Sequence, residues 1–238
     1  MRTFLRLLWD NFIFVFKIAV GLLLTIGLLR FVRSPNWQFF SDNVGPDATV
    51  LRNVETAVLI VGGLFVVTWS VRFLDRSFYK GKIKQQAGLM PQSAQTMRRW
   101  FIHPFVHLDD SHLYSNTRNL LLFTGVAVLI TPDLQTFLVA SLAMLLVTSC
   151  GIWLFGQKGT GHIGASGILI GYFGFIITYG LAVMRDWRAV VALLLLLFFG
   201  RHIFNVLAHP GANVSKEGHF WGFIGGVVAA LLLSSLMG

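Results

Sequence analysis

The sequence predicts an all-α, polytopic membrane protein, and three observations carry that prediction. Of the 238 residues, 55% are hydrophobic and only 12% are charged, about half the share of charge that a soluble domain carries. The apolar residues gather into seven runs, at 11–31, 54–74, 112–131, 134–155, 163–183, 189–207 and 218–237, each near the roughly 20 residues that a bilayer-crossing helix needs. The basic residues behind the net charge of +9 fall mostly between those runs, where they meet lipid headgroups or set topology. That placement makes the lipid bilayer their partner and argues against nucleic acid. The single cysteine, Cys150, lies inside an apolar run, so no intrachain disulfide can form.

The first run follows a signal-like start with Arg2 and Arg6. Its apolar part is too long for a signal h-region and no A-x-A site follows, so a retained helix or signal anchor is expected. Lys17 within it can snorkel. The second run is followed by the one long connection, about 75–111. It holds Lys80, Lys82, Lys84, Arg98 and Arg99, then WFIHPFVHLDDSH. A long loop in a compact protein is functional or disordered, and this aromatic and histidine content predicts an interfacial segment. The third run opens with His112, Ser115, Asn116, Arg118 and Asn119, unusually polar for a spanning helix. "TPD" at 131–133 leaves room only for a tight hairpin. No internal repeat is evident. The organisation expected is a 1–53 segment of one helix and its connection, then a 54–238 core.

Polar groups inside membrane helices are costly and need partners. Three clusters stand out. In H112-L-Y-S-N116 the two end residues share a helix face. In G164-A-S166-G167, followed by Gly171 and Gly174, a lone hydroxyl sits beside a stripe of glycines. In G218-H219-F-W-G222, followed by Gly226, a histidine heads a second stripe. Small stripes let membrane helices approach closely. If the two stripes face each other, Ser166 and His219 meet. Both open their helices on the same side of the membrane, because an even number of spans separates them, and His112 and Asn116 fall on that side too. A serine hydroxyl becomes a nucleophile when a base lies within hydrogen-bond reach, and His219 fits that part. His112, Asn116 and the Ser166 N–H can donate to a developing oxyanion. No acid is placed as a third member by Glu217, Asp109 or Asp110, so a dyad is expected. Each cluster also has a plain reading: a helix serine bonded to its own backbone, an interfacial histidine, a packing stripe.

The combination H112xxxN116, GAS166G and H219xxGxxxG, in that order on alternate helices, resembles the rhomboid intramembrane serine proteases over about 54–238. The resemblance implies a six-helix core preceded by one extra N-terminal transmembrane helix. It makes Ser166 and His219 a catalytic dyad and His112 and Asn116 the oxyanion donors. It equates His103 and His107 with two histidines of the loop after the first core helix, and matches that loop's Trp-Arg pair in part through Arg98-Arg99-Trp100. Ile170 stands where many bacterial members have a tyrosine that packs on the catalytic histidine. The substrates implied are transmembrane segments of other proteins, unwound locally to expose a peptide carbonyl, with no cofactor or metal. Gly164 and Gly167 are expected to leave room for substrate backbone beside Ser166. The helix at 189–207 and the loop at His209-Pro210-Gly211 are candidates for a gate.

Three other classes compete with this reading. His103 and His107, with His112 beyond, have the spacing of a histidine box, but no HExxH occurs and His202 and His209 complete no second box. An inactive relative that binds and escorts membrane proteins would lack the Ser or the His, and both are here. A transporter would place charges or broken helices at mid-membrane on several helices, and only Arg118 hints at that. The resemblance implies a bacterial inner-membrane protein whose site opens away from the cytoplasm. The lysine and arginine count instead makes the side bearing the long loop cytoplasmic, so the two indications of orientation conflict. Oligomeric state is not legible.

Overall fold

The computed structural model describes residues 2–32, 49–209 and 215–237, with side chains described over 13–31, 53–209 and 215–236. Its elements are helices, apart from one backbone bridge between Leu89 and His162. They are α1 (Arg2–Val32), α2 (Thr49–Ser77), the short α3 (Lys82–Ala87), α4 (Asp110–Asn119), α5 (Gly125–Ile130), α6 (Leu134–Phe155), α7 (Ser166–Thr178), α8 (Trp187–Ala208) and α9 (Lys216–Met237). Among the described residues six helices are long and apolar enough to cross a bilayer, within α1, α2, α6, α7 with its extension to Met184, α8 and α9. Large apolar side chains such as Leu23, Leu197, Phe198 and Phe204 point outward, as a lipid-facing surface requires. The chain is an integral, multi-pass membrane protein.

The run at 112–131 differs from the single helix expected. It is built as α4, a π-helical turn at Leu120–Thr124 and α5. End to end these pieces reach about 30 Å, enough for the hydrocarbon core. The polar half is α4, and the wide turn separates it from the apolar half. Asp109 caps the start of α4, accepting from the His112 N–H at 2.8 Å. Asp133 caps α6 in the same way, accepting from Thr136, which closes the hairpin at 131–133.

The helix α7 is the centre of the fold. Almost every residue from Gly167 to Ile176 is buried, and a helix apolar on all faces belongs inside a bundle. It packs against α9 through the two glycine stripes. A Cβ on Gly167 would lie 2.7 Å from the Gly218 carbonyl, one on Gly171 2.8 Å from that of Gly222, and one on Gly174 2.7 Å from that of Phe223. In return, a Cβ on Gly222 would collide with the Gly167 carbonyl, and one on Gly226 with that of Gly171. The helices therefore meet backbone to backbone, which glycine alone permits.

The long connection is folded. Besides α3 it forms two 3-10 turns, Ala94–Phe101 and His103–Phe105. Arg99 donates to the Gly88 carbonyl at 2.9 Å, the Trp153 indole to Ser93 at 3.2 Å, and His103 shares a 3.1 Å hydrogen bond with Ser149 on α6. The first helix lies along α2, where Gly21 makes room for Phe65 and Gly62 for Thr25.

Candidate active site

Ser166 is the first residue of α7. The chain enters that helix through Gly164 at φ 107°, a conformation that disfavours any side chain. This sharp entry makes α7 begin at Ser166 rather than at residue 163 and leaves the hydroxyl at the helix mouth. His219 lies in the first turn of α9. The glycine contacts below bring the two together, with Ser166 Oγ 2.9 Å from His219 Nε2. His219 is buried, and its Nδ1 has no hydrogen-bond partner among the described residues. The carbonyl of Val206 on α8 faces the ring without reaching hydrogen-bond geometry.

The acids near the site are engaged elsewhere. Asp109 caps α4. Asp110 accepts from Arg72 and Arg76 of α2, each at 2.7 Å. The Arg72–Asp110–Arg76 clamp was not read from the sequence; its only trace there is the i, i+4 arginine pair at the end of the second run.

Asn116 is buried, and its Nδ2 is an unpartnered donor among the described residues. The His112 ring lies against Gly164, where a Cβ would come within 2.7 Å of its Cε1 and 3.6 Å of Asn116 Nδ2. The space beside Gly164 is thus filled by the His112 ring rather than held open for substrate. Gly167 likewise faces the Gly218 carbonyl, so both glycines serve close approach. His112, Asn116, Ser166 and His219 line one cavity of about 840 Å³, which His202 and Asn205 of α8 line as well.

A family model described as the Rhomboid domain matches residues 94–236. The chain belongs to the rhomboid family. Its relatives include uncharacterized proteins of Mycobacterium tuberculosis and Mycobacterium bovis, each 30% identical over 188 residues, covering 74% of this chain and 77% of the relative. A third, from Mycobacterium leprae, is 33% identical over 139 residues, covering 56% of this chain and 54% of its own.

Three family positions have particular surroundings here. His103 and His107 are both buried, and burial lowers each pKa to about 3, helped by the nearby His162 and His112 respectively. His103 turns to Ser149, and His107 lies edge-on to His112 with ring centroids 5.3 Å apart, so the histidine-box pair points at different partners. Ile170, in the place of the supporting tyrosine, is buried on the cavity wall. It brings no hydroxyl and no ring to His219. Of the gate candidates, α8 lines the cavity through His202 and Asn205, and the loop after it through His209, while Pro210 and Gly211 lie outside the described residues.

Proposed function

We propose that this rhomboid-family protein is an intramembrane serine endopeptidase that cuts transmembrane segments of other membrane proteins with a Ser166–His219 dyad. The observation that carries the reading is the 2.9 Å contact between Ser166 Oγ and His219 Nε2 at the wall of a polar cavity inside a bundle of membrane helices. Hydrolysis needs water, which lipid excludes, and a cavity lined by histidine, asparagine and serine side chains can hold it.

In the reaction Ser166 Oγ attacks the scissile carbonyl carbon while His219 Nε2 takes the hydroxyl proton. The carbonyl oxygen gains the charge, and Asn116 Nδ2, the His112 ring and the Ser166 N–H are the donors that would receive it. The imidazolium of His219 then protonates the leaving amine. Water, deprotonated by His219, releases the acyl group and restores Ser166. The unpaired Asn116 donor fits this role, since a buried donor left without a partner costs free energy that a transition-state oxyanion recovers. A substrate helix must unwind locally to present its carbonyl, which favours segments with helix-breaking or small residues near the membrane surface.

The enzyme belongs on this reading to a bacterial inner membrane, with residues 54–238 as the protease core and the cavity opening to the extracytoplasmic side. The test is cleavage of a single-pass reporter in liposomes by wild type, Ser166→Ala and His219→Ala. Cleavage by wild type alone is expected. Equal cleavage by all three sinks the dyad, and binding of the reporter without cleavage would point to an inactive escort protein. Labelling of a cysteine at position 84 by an impermeant thiol reagent, in a Cys150→Ser background, reports the side. Labelling from the cytoplasm overturns the orientation.

A further inference from the structure

His162 stands four residues before Ser166 and outside the cavity lining. Its side chain is nearly enclosed, and both ring nitrogens are engaged: Nδ1 lies 2.6 Å from Ser215 Oγ and Nε2 2.9 Å from Thr160 Oγ1. The hydrogens can be assigned by counting donors. The Thr160 hydroxyl donates to the Gln157 carbonyl at 2.6 Å, so its oxygen accepts from His162 Nε2–H. Nδ1 is then the acceptor, and the Ser215 hydroxyl donates to it. The same Ser215 oxygen accepts the Gly218 N–H at 2.8 Å, and the Ser215 carbonyl accepts the His219 N–H at 3.1 Å. Ser215 is the cap of α9, and His162 holds that cap.

The backbone of His162 is held as well. It exchanges two hydrogen bonds with Leu89 of the long connection, at 2.9 and 3.0 Å, and the Gly164 N–H donates to the His103 carbonyl at 2.9 Å. One residue therefore links the folded connection, the loop that delivers Ser166, and the first turn of the His219 helix. That turn is where support is needed. The glycine contacts clamp α7 to α9 from Gly167 and Gly218 onward, but the first N–H groups of a helix have no partner within it. Ser215 satisfies the Gly218 N–H through its hydroxyl and the His219 N–H through its carbonyl.

We propose that His162 is a positioning residue for the Ser166–His219 pair, acting by holding the Ser215 cap of α9 against the loop that carries the nucleophile. The proposal rests on the dyad reading above. A side chain that accepts at the Nδ1 position preserves the device, and an apolar one removes it.

The test uses the full chain in liposomes, with wild type, Ser166→Ala, His162→Asn, His162→Leu, Ser215→Ala and the His162→Leu/Ser215→Ala double variant. Rates on the single-pass reporter are measured together with hydrogen exchange over residues 215–222. His162→Leu is expected to lower kcat roughly 10- to 100-fold, the scale of a small misplacement at the reacting atoms, with KM within about twofold because substrate contacts are untouched. His162→Asn should recover most of the rate. The double variant should be no worse than the poorer single, because both act through one contact. Exchange at 215–222 should rise in His162→Leu and Ser215→Ala and stay near wild type in His162→Asn. Wild-type kcat in His162→Leu, failure of Asn to rescue, or additive losses in the double variant overturns the proposal. If Ser166→Ala cleaves like wild type, the dyad reading fails instead, and hydrogen exchange alone then decides whether His162 holds the cap.

Discussion

On one side of the Ser166 hydroxyl, α7 and α9 touch backbone to backbone through Gly167, Gly171, Gly222 and Gly226. Beside it lies a cavity of about 840 Å³, lined by Asn116 and His112 of α4 and by His202 and Asn205 of α8. The first pair leaves no room for a methyl group; the second leaves room for a stretch of peptide. On the proposed protease reading, the difference separates two tasks. A nucleophile and its base must be held to within tenths of an ångström, which dense packing provides because it has few alternative arrangements. Admitting water and an unwound substrate requires space and unpaired polar groups, which dense packing would exclude.

The largest expected effect falls on the welded side. Ser166→Ala or His219→Ala should lower reporter cleavage by several orders of magnitude, as for other nucleophile–base pairs, with little change in melting temperature. Next comes Gly222→Ala. Its new Cβ would overlap the Gly167 carbonyl, so it should force the helices apart, lower stability by about 1–3 kcal/mol, and reduce cleavage as the dyad opens. Gly63→Ala is the control, because nothing lies within 4 Å of a Cβ there; it should melt at or above the wild-type temperature. If Gly222→Ala behaves like Gly63→Ala, the weld is not what holds the site.

On the open side, Asn116→Ala should reduce kcat about 100-fold, the usual scale for removing one oxyanion donor, while a serine-directed probe still labels Ser166. The fourth effect concerns the folded connection that rests on α6 through His103. His103 and His107 are held neutral by burial, with pKa lowered to about 3, whereas in the unfolded chain each protonates near 6.5. Between those values the unfolded state binds more protons, so stability falls as pH drops below about 6.5 and the loss levels off near 3. By pH 5 it should reach roughly 1–2 kcal/mol per histidine, read as a falling melting temperature that His103→Asn partly relieves. The smallest effect is expected at Asn205, exposed on the cavity wall of α8. Asn205→Leu should leave stability within about 0.5 kcal/mol and change kcat/KM by less than about tenfold. A larger loss would mean that this wall takes part in the chemistry.

Part of the welded side was legible in the sequence. Glycines at 167, 171, 174, 222 and 226 fall on single helix faces whatever surrounds them, but that the two faces meet, and so bring Ser166 to His219, is shown by the structure. The open side was less legible. The third run reads as one helix, yet a π-helical turn divides it, and no residue pattern marks such a turn because it depends on how its flanks pack. Gly164 read as space for substrate, and the structure fills that space with His112. No sequence pattern joins His162 to its partner Ser215, which is 53 residues away, because a serine hydroxyl gives no periodic signal.

By itself the sequence determined the membrane class, the helix count to within the divided third run, and the residue types that can carry acyl transfer, since hydropathy and helical spacing are local properties. Only the tertiary structure decided that Asp109 and Asp110 serve as cap and salt-bridge partner, that Asn116 Nδ2 has no partner among the described residues, and that His162 reaches the cap of the His219 helix. Those outcomes depend on which groups satisfy which hydrogen bonds across distant segments, and burial settles that only once the helices have packed.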